Sequence, residues 1–240
     1  MPDHAPDHSA PFWFRSDLGV ASFGFTDART DLGRGPVDGS LAEGPGVVAA
    51  ALGGRPALMR QVHGVTVAVA DPDAQPEADA LVIDRPGIVA IVRVADCVPV
   101  VLVDPDRPLA AVVHAGRVGM ASGVASAAVE ALRSRGARRL EAWVGPRACG
   151  SCYEVPATMA DEVTAVEPAA RATTRQGTPG LDIGAGVVAQ LQRADVVVHD
   201  LGGCTIEDER FWSHRRQGDA AGRFGAAVVL RREGSGDGTP

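Results

Sequence analysis

Lysine is absent from this 240-residue chain, so all 23 of its basic residues are Arg. Its absence removes any Schiff-base or ammonium catalyst, and the uniform use of Arg reads as base-composition bias of the coding genome. Aromatic residues make up only 4%, so the core has to be built from Ala, Val and Leu. There are four Cys. The segment Met1–Ala10 carries Asp3, His4, Asp7 and His8 with no basic start and no apolar stretch, which does not read as a signal peptide. Reduced thiols in a cytoplasm are the expectation. Net charge is −7 with the Arg residues scattered among acids, which argues against a nucleic-acid surface. The longest apolar region, Gly87 to Val103, is broken by Arg93, Asp96 and Pro99, so no membrane helix is expected.

What is present is a strand-rich centre. Ala80–Asp84, Ile88–Val94, Val98–Val103 and Leu109–His114 are short runs of Val, Ile, Leu and Ala separated by turn residues such as Arg85-Pro86-Gly87 and Asp104-Pro105-Asp106. Their near-continuous apolar character predicts strands covered on both faces. The spacing of Met120, Val124, Ala127, Ala128, Ala131 and Leu132 predicts a helix over 119–135, stopped by Gly136. A strand at Leu140–Val144, helices at Pro156–Val166 and Ile183–Arg193, and a strand at Val196–His199 follow. The predicted class is α/β (α+β): one compact layered domain over 11–232, with mixed, largely buried sheets covered by helices. Disordered polar tails are expected at 1–10 and 233–240, and the chain is expected to be a monomer.

Three segments each present one metal-ligating residue: Gln61-Val62-His63-Gly64, Ala95-Asp96-Cys97-Val98-Pro99 and Val113-His114-Ala115-Gly116. Each ligand borders an apolar run, so all three are expected at strand ends. Two imidazoles and a thiolate are a good set for zinc, and three protein ligands leave the fourth position that a catalytic metal needs. The same residues admit other readings. Cys97 could be a hydrolase nucleophile with His114 as its base, or each could be an ordinary core residue at a strand end.

Further segments fall in order along the chain: Ala78-Asp79-Ala80-Leu81-Val82, Gly145-Pro146, Tyr153-Glu154-Val155, Cys204-Thr205 and Phe211-Trp212-Ser213-His214-Arg215-Arg216. With the three ligand motifs, over roughly residues 58–230, the chain resembles the laccase-domain, YfiH-like family of "multicopper polyphenol oxidoreductases". The resemblance implies a zinc held by His63, Cys97 and His114. It also implies small-molecule chemistry on purine nucleosides: phosphorolysis of adenosine, inosine, guanosine or methylthioadenosine, sometimes with adenosine deamination. Some bacterial members resemble instead amidases that remove a wrongly added serine from peptidoglycan precursors, and a divergent member could keep the zinc and lose catalysis.

The family's older name can be tested by counting. A multicopper oxidase needs on the order of ten His ligands, and this chain has six, two of them (His4 and His8) in the N-terminal tail. A lone adventitious copper remains chemically reasonable, because copper outcompetes zinc at N/S sites. For phosphorolysis the candidate anion-binding residues are Arg60, Arg215, Arg216 and Arg223, with His214 in the same run and Trp212 as a stacking wall for the purine. Two departures stand out. Where the family reads His-Ala-Gly-Trp-Arg-Gly, this chain has His114-Ala115-Gly116-Arg117-Val118-Gly119, a cation shifted by one residue that a strand-like segment would turn to the other side. Ala28 stands where the family carries Arg, with Arg29 one position late.

Three other features belong here. Cys149-Gly150-Ser151-Cys152 is a CxxC with no second pair and Cys204 isolated, which reads as small buried thiols beside Tyr153. Asp96 is a candidate acceptor for a ligand imidazole or a turn-former. His199 reads as structural.

Overall fold

The strands of this chain alternate between three cores, and that alternation explains why they look uniformly apolar. The computed structural model describes residues 11–33 and 43–232; the expected tails at 1–10 and 233–240 lie outside them. In chain order, β1 (Phe12–Leu18) and β2 (Ala21–Thr26) precede α1 (Glu43–Leu52), β3 (Arg55–Ala57), β4 (Val67–Val69), β5 (Ala80–Ile83), β6 (Ile88–Val94), β7 (Val98–Asp104) and β8 (Leu109–Ala115). Then come α2 (Arg117–Ala121), α3 (Val124–Ser134), β9 (Glu141–Val144), α4 (Ala157–Val166), β10 (Arg171–Thr173), β11 (Pro179–Leu181), α5 (Ile183–Arg193), β12 (Val197–Asp200), α6 (His214–Gln217) and β13 (Phe224–Leu230).

Two mixed sheets result. The first has the order β1-β2-β13-β6-β3, the second β12-β9-β7-β8-β5-β4, and β10 and β11 form a separate antiparallel pair. Successive side chains on a strand point to opposite faces, and both sheets use both faces. Val98, Val100 and Leu102 of β7 pack with Val113 of β8 toward α3 and α5. Val101 and Val103 of β7 face Val92 of β6 and Phe224, Ala226 and Val228 of β13 in the core between the sheets. Val89 and Ile91 of β6, with Ala227 and Val229 of β13, pack against Val48, Ala49 and Leu52 of α1. The layers are therefore helix, five-stranded sheet, six-stranded sheet, helices, and the predicted α/β class of buried mixed sheets is what is found.

The helix expected over 119–135 is two helices. Gly123 breaks it in the left-handed region, at φ +88°. The Gly123 N–H donates to Met120 O at 2.9 Å, closing α2, and its own carbonyl accepts from Ala127 N at the start of α3. The periodic apolar stripe survives the break because both pieces rest on the same core. Helical structure also starts earlier than expected, at Arg117, directly after Gly116.

Candidate active site

The site forms where the chain crosses between sheets. Strand β6 belongs to the five-stranded sheet and β7 to the six-stranded sheet, and the turn between them carries Asp96 and Cys97. Asp96 adopts φ +89°. Its carboxylate accepts from Thr205 Oγ1 at 2.6 Å and from the Arg215 backbone N–H at 2.7 Å, fixing the sharp crossover. Asp96 is thus the turn-former; it takes no ligand imidazole. His114 lies near the end of β8, opposite Pro99 of β7. His63 is not at a strand end: it sits in the loop between β3 and β4, at φ +61°.

A buried carboxylate holds that loop. Asp79, fully buried, accepts from the backbone N–H groups of His63 at 2.9 Å, Gly64 at 2.6 Å and Val62 at 3.3 Å. It also meets His114 Nδ1 at 2.7 Å. One side chain therefore sets the left-handed conformation of His63 and the ring orientation of His114, leaving the other His114 nitrogen for the cluster. Gln61 completes the brace: its amide donates to Arg93 O at 2.7 Å and accepts from Arg93 N at 3.0 Å, tying the loop to β6. Gly116 is required by close approach. A Cβ there would lie 2.5 Å from His63 Cδ2 and 3.2 Å from Cys97 Sγ.

The donor atoms of His63, Cys97 and His114 all lie within 4.8 Å of one another. Cys97 Sγ is 3.8 Å from His63 Nε2, and the two imidazoles meet edge to face with centroids 4.7 Å apart. Burial would push the Cys97 thiol up, but the charge and hydrogen bond of His114, helped by His63, outweigh it and bring it down to about 6. Burial opposes a charged His114 in the same way, yet Cys97 and Asp79 raise it to about 9. At neutral pH the pair is a thiolate beside an imidazolium. For Asp79 burial again acts upward, and the bonds from His114 and Gly64 more than reverse it, holding the carboxyl below its ordinary value. A poised thiolate, an oriented imidazole that would give up its proton to a metal, and a second, solvent-exposed imidazole fit a zinc-type metal.

The cluster opens into a cavity of about 640 Å³. Arg60, His214, Arg215 and Arg223 line it, as the sequence suggested. Arg60 pairs with Glu77, His214 meets Gly218 O through Nδ1 at 3.0 Å, and Arg215 lies 4.9 Å over the Tyr153 ring. Trp212 is not on the wall. It packs against the core between the sheets, and Tyr153 is the aromatic ring that faces the cavity. Arg216 is also elsewhere, donating to the carbonyls of Thr205, Ile206 and Phe211.

Two further cations line the cavity, Arg93 and Arg117. Arg93, half-buried at the end of β6, donates to Gly33 O at 3.3 Å, and burial and the neighbouring Arg223 charge depress its pKa. Arg117 was expected to turn away. Because the backbone is helical there rather than extended, Arg117 lines the cavity while Val118 is exposed. The other departure leaves a gap: Arg29 is held by Asp27 in a separate depression with Trp13 and Arg210. His199 is structural, stacked 4.6 Å from Trp143 and bonded to Glu141. Cys204 is not isolated; it meets Cys149 and Cys152.

The model of the multi-copper polyphenol oxidoreductase laccase family matches residues 38–231, and the chain belongs to that family. It is 44% identical over 240 residues to a Streptomyces coelicolor protein named purine nucleoside phosphorylase, covering 90% of this chain and 98% of that one. A Mycobacterium tuberculosis protein of the same name is 43% identical over 184 residues, 74% of this chain and 73% of its own. The crystal structure of the Neisseria meningitidis protein NMB0706 superposes with a TM-score of 0.78 at 24% identity, over 91% of this chain and 99% of that one, and so shares the fold.

Proposed function

We propose that this chain is a metal-dependent purine nucleoside phosphorylase, with zinc as the metal held by His63, Cys97 and His114. The observation that carries the reading is the shared cavity. One space of about 640 Å³, within the usual size of a small-molecule site, has a metal-type donor cluster and five Arg residues on its walls. The names of the relatives point the same way. Bound there, zinc supplies Lewis acidity that stabilises negative charge developing on the substrate.

The remaining chemistry belongs to the chain's own residues. Phosphorolysis forms a bond from a phosphate oxygen to C1′ while the C1′–N bond breaks and its electron pair leaves with the purine. The sugar passes through an oxocarbenium-like state. Arg93 and Arg223 line the same cavity, and a guanidinium matches phosphate geometry through paired donors. Tyr153, with Arg215 over its ring, would border the base. Asp79 keeps His63 and His114 in place throughout.

A second reading rests on one observation. Cys97, His114 and Asp79 form a nucleophile, base and orienting carboxylate in sequence, the arrangement a thiol hydrolase uses. Chromatography of adenosine incubated with zinc-loaded protein separates the readings. Adenine formed only when phosphate is present is the expected result, and inosine would add deamination to the proposal. Turnover of an amide substrate that survives chelation and is abolished by thiol alkylation, with adenosine untouched, would favour the hydrolase.

A further inference from the structure

On the far side of the cavity wall, two turns of matching geometry face each other. In the first, Cys152 N and Tyr153 N both donate to Cys149 O, at 3.0 and 2.9 Å. In the second, Glu207 N and Asp208 N both donate to Cys204 O, at 3.2 and 2.9 Å. A backbone bridge between Arg147 and Cys204 and the Thr205 N to Arg147 O bond at 3.0 Å hold the turns together. The pairs Cys149/Cys152 and Cys204/Glu207 each leave two residues between their members. This is the two-pair spacing of a structural zinc site, with one carboxylate replacing the fourth thiol.

The four donor atoms all lie within 4.8 Å of one another. Tetrahedral zinc with bonds of about 2.3 Å needs sulfurs about 3.8 Å apart, so small side-chain rotations would close the set. The three thiols are half-buried and none is in a disulfide, while Glu207 lies at the solvent edge. Three thiolates and a carboxylate around a dication leave a net charge of −2, and cations are in place to offset it. Arg175 donates to Glu207 Oε2 at 3.0 Å and reaches Cys152 Sγ at 3.6 Å, and the Arg147 guanidinium, paired at two points with Asp200, also lies near Cys149.

We propose that Cys149, Cys152, Cys204 and Glu207 form a second, structural site for a soft divalent cation of the zinc class. The site would pin the segment bearing Tyr153 to the segment bearing Thr205, and Thr205 bonds Asp96 beside Cys97. A metal there stiffens the wall of the cavity without entering it.

The test is zinc content per chain, measured by mass spectrometry on full-length protein expressed with zinc and purified in reductant. Two zinc ions per chain are expected, falling to one in Cys204→Ser and to one in Cys97→Ser. A single zinc that persists in Cys204→Ser and vanishes in Cys97→Ser overturns the proposal. A single zinc lost in Cys204→Ser and kept in Cys97→Ser upholds it and overturns the metal reading of the His63 cluster instead. Should Cys204→Ser fail to fold, Co²⁺ titration of chelator-stripped Cys97→Ser protein decides. An intense thiolate-to-cobalt charge-transfer band saturating at one equivalent supports the site, and its absence refutes it.

Discussion

Asp79 does more for the candidate active site than any ligand, because it is the residue through which two ligands share one scaffold. It is fully buried and bonded to three backbone N–H groups and to His114. In Asp79→Asn an amide must replace an acceptor that serves four donors, and the His114 ring loses its fixed orientation. Zinc affinity is expected to fall about 10- to 100-fold, read by competition with a chromophoric chelator. The Cys97–His114 pair makes a pH prediction. Thiolate forms as pH rises through about 6 in metal-free protein, so Cys97 alkylation by iodoacetamide should reach half its plateau rate near that pH. In His114→Ala the midpoint should move upward, toward the ordinary thiol value of about 8.5, because burial is then opposed by His63 alone. A midpoint unchanged by that substitution would show that the imidazole does not set the thiol. At this scale the sequence is readable where chemistry restricts residue type. His63, Cys97 and His114 are residue types that bind metal, whereas Asp79, though it stands in a motif of its own, shows its role only when the fold brings it under the His63 loop.

Among the elements, the break between α2 and α3 shows what periodicity can and cannot report. Apolar spacing over 119–135 identifies the face that packs on the six-stranded sheet, and Met120, Val124, Ala128 and Leu132 all lie in that core. The chain nonetheless reverses its local twist at Gly123, which has open space where a Cβ would stand and a positive φ. Gly123→Ala should therefore cost about 1 kcal/mol through backbone strain alone, seen as a lower urea midpoint with an unchanged slope. The same local change explains Arg117. A helical start at 117 carries its side chain into the cavity, where an extended segment would have carried it away. Strands β1, β2 and β13 and helix α1 had no counterpart in the sequence reading. Strand β1 is a half-exposed edge with mixed pattern, and β13 is separated from its partners β2 and β6 by most of the chain.

For the molecule as a whole, the cavity exists because two sheets meet. Phe23, fully buried, contacts Trp143 across the inter-sheet core with ring centroids 4.4 Å apart. Phe23→Ala should cost about 3–5 kcal/mol, and calorimetry should show one cooperative transition shifted down, because both sheets share that core. The Arg-lined wall depends on the same union: Arg93 comes from the five-stranded sheet, Cys97 from the crossover into the other sheet, and His114 from that other sheet. Arg93→Met keeps the apolar stem and removes the charge. It is expected to lower kcat/KM for phosphate about 10- to 100-fold, the loss of one strong charged hydrogen-bonding partner, while leaving adenosine binding near its original value. Steady-state kinetics with phosphate varied would check this, and an equal loss on both substrates would contradict it.

Sequence alone determined the apolar strands covered on both faces, the stripes of the helices and the three residues that could hold a metal, because each depends on residue type and local spacing. It also bounded the redox chemistry, since six His cannot supply a multicopper cluster. The tertiary structure alone decided which residues stand beside them. The support of the ligands by Asp79, the approach of Arg93 to Arg223, the placement of Trp212 in the core and Tyr153 on the wall, and the meeting of Cys204 with the CxxC turn all join segments far apart in the chain. Such contacts arise from sheet order and crossover geometry, and no local pattern of residue types encodes them.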